Sequence, residues 1–145
     1  MIAVDTNLLV YAHREDSAFH AGAKAAVQAL RRQPAPWAIP WPCLHEFIAI
    51  VTHPGIYKPA SSLAEALGFV DALLACPRLE LLAENPGYFE KLRAIATAAK
   101  LRGPRIHDAR IAALCLNHGV SELWSADRDF SLFPQLKVLN PLVTQ

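Results

Sequence analysis

The stretch Ile2-Ala3-Val4-Asp5-Thr6-Asn7 puts a carboxylate directly after an apolar run and directly before residues that open helices. Ile2 to Val4 predicts a short buried strand, and Asn7 to His13 a helix that Thr6 or Asn7 can cap. The alternation continues along the chain. Strands are predicted at Trp37-Ala38-Ile39, Leu79-Glu80-Leu81-Leu82, Glu122 to Ser125 and Lys137-Val138-Leu139. Helices are predicted from Phe19 to Arg32, from Pro42 through Glu46 to about Thr52, and from the capping box Ser62-Leu63-Ala64-Glu65 to about Ala75. Two more run from Pro86 to about Leu101 and from Ile106 to His118, with Gly119 at the stop. Phe19, Ala23, Ala26, Val27 and Leu30 recur at helical spacing, as do Phe89, Leu92, Ile95, Ala96 and Ala99. Short strands alternating with helices predict an α/β fold around a mostly parallel sheet. In such sheets binding groups gather beyond the carboxyl ends of the strands.

The 145 residues read as a single domain, 1–145. Hydrophobic residues make up 53%, which points to a buried interface with a second copy or a partner segment. No apolar run approaches the roughly 18–20 residues that span a bilayer, so no membrane partner is expected. Cys43, Cys76 and Cys115 stand singly among apolar neighbours. They read as reduced core residues of a cytoplasmic protein, without disulfide or metal-site spacing. The absence of a basic leader segment gives the same expectation. A net charge of +1 supplies no whole-molecule field for nucleic acid, so any such binding needs a local patch.

The acids carry the chemistry. Asp5 closes the first strand, Glu46 precedes Phe47 to Val51, Asp108 opens an apolar helix, and Asp127 and Asp129 follow Glu122 to Ala126. Each has an ordinary reading: Asp5 as a cap, Asp108 as a complement to the helix dipole, Asp127 and Asp129 as turn formers. Together, in one small chain with no glycine-rich phosphate loop, zinc motif or Gly-x-Ser-x-Gly elbow, they point to a site. Acids beside buried segments are costly unless something positive meets them, and no lysine or arginine neighbour balances all four. A divalent cation does, and an all-oxygen ligand set suits Mg²⁺ or Mn²⁺.

The series Val4-Asp5-Thr6-Asn7, Glu46, His107-Asp108-Ala109-Arg110-Ile111-Ala112-Ala113 and Ser125-Ala126-Asp127-Arg128-Asp129-Phe130, with Phe133-Pro134-Gln135-Leu136 at the end, resembles the PIN-domain ribonucleases over essentially the whole chain. It is most similar to the toxin half of VapBC-type toxin–antitoxin pairs. The resemblance implies a three-layer α/β/α sandwich and a Mg²⁺-dependent endoribonuclease that cuts single-stranded regions of RNA, with Mn²⁺ able to substitute. It implies that Asp5, Glu46, Asp108 and Asp127 are the catalytic, metal-binding quartet. Asp5 and Asp108 would be the leading ligands, and Glu46 and Asp127 would complete the shell or orient water. Thr6 or Asn7 would fix the first acid, Ser125 stands where the family often has threonine, and Asp129 would join the site or tie down its loop. The family's partners would be a cognate antitoxin and a second copy, giving a homodimer.

Other residues invite roles. His45 and His107 each precede a quartet acid, although as polar helix-start residues they need none, and His13, His20, His53 and His118 read as surface or cap residues. Arg14, Lys58, Arg102, Arg105, Arg110 and Arg128 are candidates for a phosphate-binding rim. Trp37, Trp41 and Trp124 read as core in preference to base-stacking platforms. Phe47, Leu67, Phe69 and Leu74 read either as core or as partner-facing. Two rival functions remain: a phosphohydrolase such as a haloacid-dehalogenase-type phosphatase, which wants a second aspartate where Asn7 stands, and a non-catalytic module of the PIN type.

Overall fold

The computed structural model describes residues 1–143, so the last two positions of the expected 1–145 domain lie outside the described residues. Its five-stranded sheet has the order β3-β2-β1-β4-β5, with every pairing parallel. The strands are β1 (Ile2–Val4), β2 (Trp37–Pro40), β3 (Leu79–Leu82), β4 (Glu122–Trp124) and β5 (Val138–Leu139). Parallel strands are buried on both faces and read as unbroken apolar runs. Accordingly Ala3, Val4, Trp37, Ala38 and Ile39 are fully buried, while the edge strand β3 leaves Glu80 exposed.

Six helices surround the sheet: α1 (Thr6–His13), α2 (His20–Arg32), α3 (Trp41–Val51), α4 (Leu63–Leu74), α5 (Tyr88–Ala98) and α6 (Ile106–Asn117). Helix α1 packs on α2 and α3, α3 on α4, and α5 on α6, which completes the α/β/α sandwich. The strands expected from sequence all form, and the Ser62–Glu65 capping box is present in both directions at about 3.0 Å. The buried stripe of α2 is Ala23, Val27 and Leu30, but Phe19 precedes the helix and is exposed.

Three local expectations need correction. Helix α1 starts one residue early with Asp5 at its N-cap, yet Asp5 makes no side-chain cap bond. Thr6 and Asn7 do not cap either, because both side chains are spent on other partners. Helix α5 is shorter than Pro86 to Leu101. Gly87, at φ +94°, precedes it, and Lys100, at φ +53°, closes it. Leu101 N–H bonds Ala96 O and Lys100 N–H bonds Thr97 O, both at 3.1 Å, a Schellman stop that uncoils the expected last turn. Phe89, expected on the packed face, is exposed.

The same stop at the end of α6 uses Gly119, at φ +71°, with Val120 N–H bonding Cys115 O at 2.9 Å. The chain lays down β1, β2 and β3 towards one edge and then crosses to β4 and β5. The reversal therefore lies between β1 and β4, where crevices open beyond the strand ends.

The two stops make opposite predictions. Lys100→Gly relieves a left-handed backbone and should stabilise the protein by about 0.5–1 kcal/mol. Gly119→Ala meets no neighbouring atom within 4 Å, so it should destabilise by about 1 kcal/mol through backbone strain alone. Urea unfolding of both variants checks the signs.

Candidate active site

The acids meet at that crevice. Asp5 is the first residue past β1, and its N–H bonds Trp124 O of β4 at 2.9 Å, which stitches the two strand ends together. Pro40 ends β2 and turns directly into α3, whose second turn carries Glu46. Asp108 lies in the first turn of α6, and Asp127 follows β4 as the cap of the Arg128–Leu132 3-10 turn. All four line one cavity of about 270 Å³, with Thr6, Asn7, Val10, Tyr11, Ile50, Tyr57, Ile111 and Phe130.

Each acid is held differently. Asp5 is buried at 4% exposure. Ser125 Oγ donates to its Oδ2 at 2.7 Å and the Cys43 thiol to its Oδ1 at 3.6 Å. Ser125 Oγ also accepts the Asp127 N–H at 3.0 Å, so one hydroxyl sets two acids. Thr6 Oγ1 donates to Glu46 Oε2 at 2.7 Å, which leaves Oε1 free. Asn7 Oδ1 accepts the Ala126 N–H at 3.2 Å and anchors the loop after β4. Asp127 Oδ1 accepts the Asp129 N–H at 2.8 Å. Asp129 itself is exposed and does not line the cavity. The Asp108 carboxylate has no hydrogen-bond partner among the described residues.

The electrostatics are those of a cluster short of positive charge. Burial raises Asp5 from 3.8 to about 6, its hydrogen bonds oppose the rise, and the Glu46 charge adds to it. Asp108 is raised by burial first, then by Asp127, Asp129 and Glu46, with Arg105 opposing. Histidine and cysteine do not line the cavity, so its donors are hard oxygens, and they fit Mg²⁺ or Mn²⁺. Among the described residues no three His, Cys, Asp or Glu side chains already close around one point.

Other sequence-predicted residues fall elsewhere. His45 and His107 are exposed and do not line the cavity. His13 ends α1 half-buried: it sits edge-on to Phe47 and Phe69 and hydrogen-bonds Ser61 Oγ at 2.9 Å. His20 and His118 bond the carbonyls of Tyr11 and Ala83. Of the expected cationic rim, Arg14 pairs with Asp16 at 2.5 Å and Arg110 with Glu84 at 2.8 Å. Arg102 and Arg105 line a separate recess with Lys100, and Arg128 flanks Asp127 in a groove towards β5. Trp37 is core as expected. Phe47 is core with Phe69 against it, whereas Leu67 and Leu74 are exposed.

Three site residues escaped the sequence reading. Tyr11 lies four residues after Asn7 on one helical face, which was an available signal. Cys43 was read only as core, and Tyr57 lies in a loop that offers no pattern.

Comparison with known proteins now has a geometry to meet. The PIN-domain family model matches residues 2–136. The chain is 35% identical to Ribonuclease VapC43 of Mycobacterium tuberculosis over 98% of its own length and 96% of the relative's. Ribonuclease VapC48 of the same organism is 29% identical over 94% of both chains. Among solved structures, VapBC2 from Rickettsia felis bound to a promoter DNA fragment superposes with a TM-score of 0.68 at 21% identity, covering 97% of this chain and 98% of that one. FitAB bound to a DNA fragment gives 0.69 at 18% identity, covering 100% and 98%.

The Asp5 shift has a stability consequence whose sign is fixed. A carboxyl that ionises near 6 when folded and near 3.8 when unfolded holds more protons in the folded state across that window. Its ionisation therefore destabilises the metal-free fold as pH rises through 6. Asp5→Asn should stabilise the metal-free protein above pH 6, on the order of 2–3 kcal/mol, with the gain shrinking towards zero as pH falls to about 4. Chemical unfolding of both proteins across that range measures it, and a gain independent of pH would contradict it.

Proposed function

This chain belongs to the PIN-domain family, within its VapC branch, and on that premise we propose that it is a metal-dependent endoribonuclease. It acts as the toxin of a toxin–antitoxin pair and cuts single-stranded RNA. The observation that carries the reading is the convergence of Asp5, Glu46, Asp108 and Asp127 on one cavity, where burial first and neighbouring acids second raise Asp5 and Asp108. The ribonuclease names of relatives at 35% identity support the activity, and the VapBC and FitAB complexes support an antitoxin partner.

Asp5 and Asp108 would hold the ion, Asp127 would complete its shell, and the bound Mg²⁺ or Mn²⁺ would activate water and neutralise the phosphate for in-line hydrolysis. Ser125 and Cys43 keep Asp5 aimed into the cavity. Thr6 fixes one Glu46 oxygen, and Glu46 Oε1 would then complete the ion's shell or orient the attacking water. Ser125 and the Asp129 N–H set the Asp127 carboxylate, so Asp129 is a positioning residue through its backbone. Asn7 holds the loop that carries Asp127. An A-form duplex hides its base edges and cannot bring one phosphate down to the acids, whereas a loop can. A second aspartate two residues after Asp5 is absent, and Asn7 there is committed to Ala126 N–H, which disfavours the phosphatase alternative.

The exposed leucines of α4, Leu63, Leu67 and Leu74, supply apolar surface for a homodimer or for the antitoxin. An antitoxin arginine entering the cleft would pair with Asp108 or Glu46 and exclude the ion.

Cleavage of one RNA sequence presented as a hairpin loop and as a perfect duplex tests the activity. The loop should be cut in Mg²⁺ or Mn²⁺ and spared in EDTA, and the duplex spared in both. Asp5→Asn and Asp108→Asn should each lower cleavage by about a thousandfold or more, while Asp129→Asn should cost far less. Undiminished cutting in excess EDTA would remove the metal from the account.

The partner reading is tested by growth. Expression of this chain should arrest cells, and co-expression with its antitoxin should restore them. Light scattering should show a dimer that Leu67→Glu with Leu74→Glu weakens, and a monomer at every concentration would contradict the dimer.

A further inference from the structure

The cavity's lining is of two chemical kinds. The four carboxylates, with Thr6 and Asn7, are one. Val10, Tyr11, Ile50 and Tyr57, with Ile111 and Phe130, are the other, and no ionisable group is among them apart from the two phenols. Both tyrosine rings have a packed neighbour. The Arg14 guanidinium lies 4.4 Å from the centroid of the Tyr57 ring. Arg14 is fixed there by Asp16 and by Ser61 Oγ at 3.2 Å, and it lines a separate recess with Pro59 and Ser61. Tyr57 therefore lines the acid cavity while its ring is held by a cation that is itself fixed outside that cavity. Tyr11 is backed by the exposed Phe19 at a ring separation of 5.2 Å, and its carbonyl is held by His20 at 2.9 Å. Among the described residues neither phenol hydroxyl has a hydrogen-bond partner. Burial and the neighbouring Tyr11 keep Tyr57 protonated well above neutrality, so its hydroxyl can donate as well as accept.

We propose that this aromatic lining is a nucleobase subsite, in which Tyr57 and Tyr11 take the unpaired base flanking the phosphate that an ion at the acids would hold. The proposal rests on the ribonuclease reading and deepens it. Both tyrosines line the cavity, and neither hydroxyl is used by a protein partner among the described residues. An aromatic face accepts any base by stacking, while the hydroxyls lie at the ring edge where a base presents its donors and acceptors. The volume, about 270 Å³, is near the lower end of small-ligand pockets, roughly 300 Å³, and suits one nucleotide.

The test uses binding, so that it stands apart from catalysis. The Asp108→Asn protein serves as an uncleaving parent. Its affinity is measured by fluorescence anisotropy for a short single-stranded RNA, intact or with one abasic nucleotide scanned along it. Removing the base at one position should weaken binding roughly 5- to 150-fold. Adding Tyr57→Leu should weaken the intact strand by a similar factor and reduce the abasic penalty to less than about twofold. Tyr57→Phe, which keeps the ring, should retain most of the affinity. An abasic penalty of the same size with and without Tyr57, or intact-strand binding indifferent to Tyr57→Leu, would overturn the subsite. So would a Tyr57→Leu effect confined to antitoxin binding. If binding behaves as expected and the unsubstituted protein cuts no RNA in Mg²⁺, the subsite stands and the nuclease reading falls.

Discussion

A carboxylate buried to 4% exposure at the end of the central strand is the constraint around which this protein is organised. Asp5 cannot move: its backbone is tied to Trp124 and its two oxygens to Ser125 and Cys43. Leaving it ionised there costs stability, which is why burial lifts it to about 6. Folds retain such groups when the buried charge is used, and strain of this kind gathers at functional sites. Ser125 ties this acid to Asp127, and the Glu46 carboxylate adds to its charge.

The topology supplies the place. Because β1 is central and the chain reverses between β1 and β4, the ends of both strands open into one crevice. Two short links then bring in the remaining acids. Pro40 passes without a loop into α3 and delivers Glu46 in its second turn. The turn after β4 delivers Asp127, and Asn7 and Ser125 pin that turn back onto α1 and β1. Asp108 comes from the far side, on α6, and is the acid with the fewest restraints. The arrangement is thus tied down where the sheet provides it and least restrained at Asp108.

Much of this was legible in the chain itself. The apolar runs Ile2–Val4 and Trp37–Ile39 announced buried parallel strands because nothing polar interrupts them, and acids placed just beyond strand ends announced the crevice. What was not legible has physical causes. Asp5 looked like a helix cap because a cap and a ligand occupy the same chain position; only the direction of the side chain separates them. The end of α5 was overrun because Lys100 adopts a left-handed backbone that residue type alone does not signal. Arg14 and Arg110 looked like rim cations because their partners, Asp16 and Glu84, could be known only once side chains were placed. Tyr57 was missed because it reaches the cavity from a loop, where no periodicity links it to the acids, and Cys43 because a buried thiol in an apolar helix reads as packing until its hydrogen bond to Asp5 is seen.

The central claim is that these four carboxylates form a divalent-metal centre. The most direct measurement is titration of Mn²⁺ into the metal-free protein at neutral pH, with the free ion followed by electron paramagnetic resonance. The account predicts saturable uptake of one or two ions per chain, competed by Mg²⁺ and lost in Asp108→Asn while that variant keeps its fold. An electron paramagnetic resonance signal that grows with added Mn²⁺ as it does in buffer alone, or uptake unchanged in Asp108→Asn, would contradict it.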